Sequence, residues 1–192
     1  MTDARGQVRN YAYDGLGRMT SRSFPGASAE TTTWTYDSTA SGNKGVTRLT
    51  GVTDPSGTIS YTYNPLGQLT RTVRVIGART YQTDYAYDKA GNVTQITLPS
   101  ARIVTYARDS LARVTGVTTK DNSGASSNTV VSSATWRPFG PLASFTFGNS
   151  IGLTLAYDND GRVTDIDAAG AGTTVQDMSF GYDLASNITS IG

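Results

Sequence analysis

The ten residues Tyr11–Thr20, "YAYDGLGRMT", recur along the chain, and this recurrence limits the fold more than any other feature. The stretch returns as "YTYNPLGQLT" at Tyr61, "YAYDKAGNVT" at Tyr85, "LAYDNDGRVT" at Leu155 and "FGYDLASNIT" at Phe180. "YARDSLARVT" at Tyr106 keeps the spacing but carries Arg108 and Ala112 at two signature positions. "WTYD" at Trp34 starts a unit delayed by an insertion before "VTRLTGVT" at Val46, and "TWRPFGPLAS" at Thr135 is a divergent unit. With the second aromatic position as marker, Tyr13, Tyr36, Tyr63, Tyr87, Arg108, Trp136, Tyr157 and Tyr182 follow one another at spacings of 23, 27, 24, 21, 28, 21 and 25 residues. Eight units fill the 192 residues, so the chain is an array in which each unit is completed by its neighbours.

Each unit reads as strand, turn, strand. In "NPLG", Pro65 presets φ for the second position of a type I turn, and the Asn64 side chain can bond the backbone two residues on. Gly67 supplies the left-handed residue of a three-residue hairpin loop with a G1 bulge. Asp14, Asp88 and Asp158 occupy the Asn64 position; Gly17, Gly91 and Gly161 match Gly67. Before the turn, Tyr11 and Tyr13 lie two apart and share a face, as do Trp34 and Tyr36, Tyr61 and Tyr63, and Tyr85 and Tyr87. After it, Met19, Leu69, Val93, Val114 and Val163 each precede a Thr, the alternation of a sheet with one buried face.

A second family of turns joins the units: "FPGAS" at Phe24, "DPSG" at Asp54, "IGA" at Ile76, "LPS" at Leu98 and "FGNS" at Phe147. "TTKDNSGASSN" from Thr118 is expected to be the longest connection and a mobile loop. The pattern predicts an all-β meander of about 16 strands, and a sheet of that size curls rather than staying flat. The expected architecture is a β-hairpin meander forming a curved β-strip or partial β-shell, one array over residues 1–192 with a sizeable core.

Composition agrees and excludes several function classes. Thr occurs 30 times, Gly 21 and Tyr 11, whereas Glu occurs once and Lys three times, a strand-and-turn composition. The 16 basic and 15 acidic residues are interspersed, so no basic stripe favours nucleic acid. No apolar run approaches the length of a membrane span, and the N-terminus has no charged-then-apolar signal segment. Cysteine and histidine are absent, which rules out disulfides, a Cys/His zinc site and a Ser-His-Asp or Cys-His catalytic arrangement.

The remaining chemistry-bearing residues favour architecture. Asp14, Asp37, Asp88, Asp158 and Asp183 could be read as catalytic carboxylates, but catalysis needs different residues converging on one point, and repetition spreads one residue along an edge. They are read as turn caps, with Asp109 in the matching place. Arg18 and Arg162 follow the turn glycine and are expected to pair with the nearby Asp. "DNDG" at Asp158 lacks the further acidic positions of a calcium loop. Tyr61, Tyr63, Trp34 and Trp136 could stack on sugars, although aromatic ladders on strands are more often sheet packing. Asn92 and Asn187 begin glycosylation sequons in form. No catalytic residue, metal site or cofactor is expected; the residues of interest are those of the repeat motif.

These residues resemble the YD repeat of Rhs proteins, a repeat shared by teneurins and by the cocoon-forming components of insecticidal Tc toxins. The likeness covers essentially the whole chain, and "GVTRLTGVTDPSG" from Gly45 and "WRPFGPLASFTFGNSIG" from Trp136 carry it beside the decapeptide. The resemblance implies a large hollow β-shell around a toxic C-terminal polypeptide, in proteins that are secreted, surface-attached or delivered into neighbouring cells. It implies as partners the remainder of such a shell and its enclosed toxin. Complete shells use many more than eight repeats and end in a closing segment that cleaves itself in an aspartate-dependent way. "DPSG" is similar to that segment's DPxG signature, but its place before "TISYTY" fits an inter-repeat turn. "TDARGQVRNYAYD" from Thr2 reads as the end of such a turn, so an excised segment of a longer array is expected. The second expectation is a binding or self-assembly module that uses its curved face or open strand edges to hold a carbohydrate, a partner protein or its own copies.

Overall fold

The computed structural model describes all residues except 1, 3–5, 7, 27–29 and 139. Much of the turn read into the first residues, the second half of "FPGAS" and Phe139 of "WRPFG" therefore lie outside the described residues. The chain divides into two compact units, residues 1–100 and 101–192.

The first unit holds β1 (Asn10–Tyr13), β2 (Met19–Ser23), β3 (Thr32–Tyr36), β4 (Leu49–Asp54), β5 (Gly57–Tyr63), β6 (Leu69–Ile76), β7 (Arg79–Tyr87) and β8 (Val93–Thr97). Each pairs antiparallel with the next. The second unit repeats the scheme with β9 (Ile103–Arg108), β10 (Val114–Lys120), β11 (Asn128–Trp136), β12 (Leu142–Phe147), β13 (Gly152–Tyr157), β14 (Val163–Gly170), β15 (Thr173–Tyr182) and β16 (Ile188–Ile191). Here too every strand pairs antiparallel with its successor. Each unit is thus a meander of four repeat hairpins. The fold is all-β, and among the described residues no helix is long and apolar enough to cross a membrane.

The repeat leaves a regular flaw in its own ladder. In β1–β2, Ala12 lies opposite Ser21 and Tyr13 opposite Met19, so Thr20 is an extra residue, a β-bulge. The same shift sets out Thr50, Thr70, Thr94, Thr115, Thr164 and Thr189, and Ala143 in the divergent unit. The Thr that closes each decapeptide is therefore the bulged residue. The Thr50 and Thr70 hydroxyls donate to the Thr35 and Thr62 carbonyls at 3.2 Å, giving those carbonyls a partner beside the interrupted ladder.

Two expectations change. The alternating pattern predicts one buried face and a sizeable core, yet among the described residues the buried hydrophobic residues are Ile103, Ala134 and Ala168, and no large side chain is fully buried. The accessible surface is 12231 Å², against roughly 8,800 Å² for a compact monomer of this mass. Alternation records that one face wants cover but supplies no second layer, so each strand is stabilised mainly by its neighbours. The connection from Thr118 also contracts. Thr118 pairs with Thr129 and Thr119 with Asn128, which leaves residues 121–127, fewer than the segment 37–48 between β3 and β4.

Candidate functional site: the seam between repeats

The turn is built the same way in unit after unit. The Gly17 N–H donates to the Asp14 carbonyl at 3.0 Å and the Asp14 N–H to the Arg18 carbonyl at 2.9 Å, closing a three-residue loop with Gly17 at φ 76°. Asp14 Oδ1 accepts the Leu16 and Arg18 N–H groups, both at 2.9 Å. Asn64, Asp88, Asp109, Asp158 and Asp183 accept the same pair of backbone donors. Gly67, Gly91 and Gly161 hold the left-handed position, and Ala112 and Ser186 adopt it at φ 63° and 65°. In the divergent unit Arg137 closes the loop through its backbone alone.

The second carboxylate oxygen meets the residue four positions on. Arg18, Arg113 and Arg162 donate Nε to Asp14, Asp109 and Asp158 at 2.7, 2.8 and 2.6 Å. Asn92 and Asn187 supply an amide to Asp88 and Asp183 at 3.0 and 2.9 Å. Where the turn residue is the neutral Asn64, polarity reverses: its Nδ2 donates to Gln68 Oε1 at 2.7 Å. Side-chain donors from Asn92 and Asn187, then the backbone N–H of the same residues, hold the Asp88 and Asp183 carboxyls below their usual range. At Asp158, partial burial would raise the value but is outweighed by the Arg162 backbone and guanidinium. The carboxylates lie spread along the turns, and among the described residues no three metal-ligating side chains gather.

The marker aromatics do what the sequence did not announce. The Tyr36 hydroxyl donates across the boundary between repeats to the Met19 carbonyl at 2.9 Å. Tyr63 donates to Leu49 at 2.8 Å, Tyr87 to Leu69 at 2.7 Å, Tyr157 to Leu142 at 2.8 Å and Tyr182 to Val163 at 2.7 Å. Trp136 makes the same bond with its indole N–H, to Val114 at 2.9 Å. The acceptor is always the residue that opens the returning strand of the preceding repeat. Arg18, Arg48 and Arg162 lie over the Tyr36, Tyr63 and Tyr182 rings at 4.4, 5.7 and 4.8 Å, so the seam is also a cation–π contact. The first-position aromatics Tyr11, Trp34, Tyr61 and Tyr85 are half-buried within their hairpins, opposite Arg22, Val52, Thr72 and Ile96.

The first seam is crossed by an ion pair. Arg18 reaches past Asp14 to Asp37 of the next repeat, with its two terminal nitrogens at 3.2 and 2.5 Å. Asp37 has φ 64° and accepts the Thr47 N–H, so it does not cap a turn of the Asp14 kind. The insertion that displaces it carries Asn43, which is buried. Asn43 donates to the Tyr61 carbonyl at 3.0 Å and accepts the Tyr63 N–H at 2.8 Å, standing in for a strand beside β5. "DPSG" is a hairpin turn between β4 and β5: Asp54 accepts the Ser56 and Gly57 N–H groups at 2.8 and 3.1 Å.

A family model described as RHS Repeat matches residues 1–29, 45–75 and 87–123, about half of the chain. The chain belongs to the RHS repeat family. No curated protein sequence matches it. Among solved structures, a crystal structure of TcdB2-TccC3-Cdc42 is similar over 99% of the chain, with a TM-score of 0.86 and 15% identity. A crystal structure of TcdB2-TccC3 without its hypervariable C-terminal region is similar over 99%, with a TM-score of 0.86 and 16% identity. A Photorhabdus luminescens Tc holotoxin pore is similar over 100%, with a TM-score of 0.84 and 16% identity. At such identity the likeness shows the fold, and the RHS repeat chain spans 10% of each of those chains.

Within the RHS repeat, sequence reasoning missed the seam bond, the bulged Thr and Asn43. A signal was present for the first: seven marker positions hold Tyr or Trp and the eighth Arg108, all side chains with a donor at or near the tip.

Proposed function

We propose that this chain is a non-catalytic wall segment, a single array of eight RHS repeats in a secreted, shell-forming parent protein, and that the shell encloses a toxic C-terminal polypeptide. One observation carries the reading: the motif's polar groups are committed to turns and seams, Asp14 and Asp158 to their own loops and Tyr36 and Tyr182 to the preceding repeat. The large accessible surface supports it, since a wall segment expects cover from the rest of its shell. A β-bulge recurs at the same place in the hairpin ladders, and a bulge bends and twists the strand that carries it, as a curling wall needs. The solved relatives fit the reading, one being a Tc holotoxin pore and another a protein lacking its hypervariable C-terminal region. Limited proteolysis of the parent particle from its native source tests it. The C-terminal polypeptide should survive until denaturant opens the particle; its digestion at the rate of the free polypeptide would refute enclosure.

A further inference from the structure

Within the first unit the seams are built alike, but one lacks its cation. Arg18, Arg48 and Gln68 each immediately precede the residue whose carbonyl takes the seam bond, Met19, Leu49 and Leu69. The Arg18 guanidinium lies 4.4 Å from the centre of the Tyr36 ring, and that of Arg48 5.7 Å from the Tyr63 ring. Arg18 also pairs with Asp37, the residue after its tyrosine. The third seam keeps a tyrosine followed by a carboxylate, Tyr87 and Asp88, but has the neutral Gln68 in the arginine place. Gln68 is engaged by the turns on either side: its Oε1 accepts the Asn64 amide at 2.7 Å, and its own amide nitrogen lies towards Gly91.

Beside Tyr87 there is an open cleft of about 350 Å³, with Leu66, Gln68, Tyr87, Asp88 and Lys89 among its lining residues. Its chemistry suits one long cation. The Tyr87 ring offers a π-face. The Asp88 carboxylate accepts the Ala90 and Asn92 N–H groups and the Asn92 amide, donors that carry no charge. Asp14, Asp109 and Asp158 each have an arginine in the place of Asn92. Leu66, 76% exposed at the turn tip, offers apolar surface to an aliphatic stem.

We propose that this third seam is a docking notch for an arginine side chain of a partner polypeptide, its guanidinium over the Tyr87 ring and against the Asp88 carboxylate. The sibling seams identify the occupant, since each holds a guanidinium of this chain at the same place. A flat guanidinium stacks on a ring and bonds a carboxylate in one pose, which a lysine ammonium does less well. The Lys89 ammonium also lines the cleft and opposes an incoming charge, so the hold on a single side chain is weak.

The test is a titration of the full chain with a blocked glycine-arginine-glycine peptide, followed by NMR. The Tyr87 ring and the Ala90 and Asn92 amide signals should shift and saturate. The same peptide with citrulline, which keeps the shape and lacks the charge, should bind about five- to tenfold more weakly, the combined worth of a cation–π contact and an exposed ion pair. Gln68→Arg should weaken arginine-peptide binding by a similar factor, because the chain then fills the notch as it does at Tyr36 and Tyr63. Lys89→Ala should tighten it. Equal binding of the citrulline peptide, unchanged binding by Gln68→Arg, or equal shifts at the Tyr36 and Tyr63 seams would each overturn the notch. None of these outcomes bears on the wall-segment reading, which proteolysis of the parent particle tests separately.

Discussion

The hydroxyl of Tyr87 donates to the carbonyl of Leu69 at 2.7 Å, and that bond ties one repeat to the one before it. Tyr87→Phe removes the donor and keeps the ring. The loss should be about 1 kcal/mol of unfolding free energy. Urea melts of the two proteins check this; coincident midpoints would mean that the seam is held by packing alone.

Asn43 serves two backbone groups of β5 from a buried position. Asn43→Leu keeps bulk but strands the Tyr61 carbonyl and the Tyr63 N–H. The cost should reach about 2 kcal/mol, more than for the seam tyrosine, because unmet buried groups bear their full desolvation penalty. Hydrogen exchange should show loss of protection centred on Tyr63; protection unchanged there would refute the strand-surrogate role.

Gly57 and Gly91 separate two reasons for needing glycine. At Gly57 φ is +145° and a Cβ would collide with the Val75 carbonyl of β6, so Gly57→Ala forces backbone apart and should cost about 2 kcal/mol or more. At Gly91 φ is +89° and the nearest atom to a Cβ would be the amide at the tip of the Gln68 side chain, not backbone, so Gly91→Val bears mainly the left-handed strain, about 1 to 2 kcal/mol. Thermal melts should rank them in that order. Equal melting temperatures for Gly91→Val and the parent would refute the turn assignment.

Acid should loosen the array from its turns. The Asp14 carboxyl is held down first by the Arg18 backbone N–H, and Asp37 by the Arg18 guanidinium. Both lie below the ordinary Asp value of 3.8, so the folded state binds fewer protons than the unfolded chain. Their contribution is full above that value and disappears as pH falls through the lowered ones. Melting temperature should stay level from pH 8 to about 5 and drop below about 4. An Asp14→Asn, Asp37→Asn variant should melt lower at pH 7 with a shallower acid fall; a parent curve flat to pH 2.5 would contradict the mechanism.

What the sequence made legible was the chemistry of near neighbours. Asp14 and Gly17 lie three residues apart and Asp14 and Arg18 four, so the turn and its ion pair could be read from spacing. The seam was not legible because the partner of each marker is a backbone carbonyl, which every residue carries. Asn43 acts on residues 18 and 20 positions away, beyond any local pattern. The "YD" context groups Asp37 with the turn caps, but the insertion after it puts Thr47 in reach and its carboxylate meets Arg18. The expected core failed for a different reason: alternation tells which face is apolar and nothing about what covers it.

That the seam ends on a carbonyl bears on how such arrays change over generations. A repeat asks of the repeat before it only a main-chain oxygen, never a particular side chain. Trp136 could replace a tyrosine without any matching change in Val114 beyond its backbone. Whole repeats can therefore be duplicated, lost or exchanged by recombination between related genes with the joints intact, whereas a cut that splits a hairpin separates a donor from its turn. Array length is free to drift in steps of one repeat, and the side chains outside the motif are free to diverge.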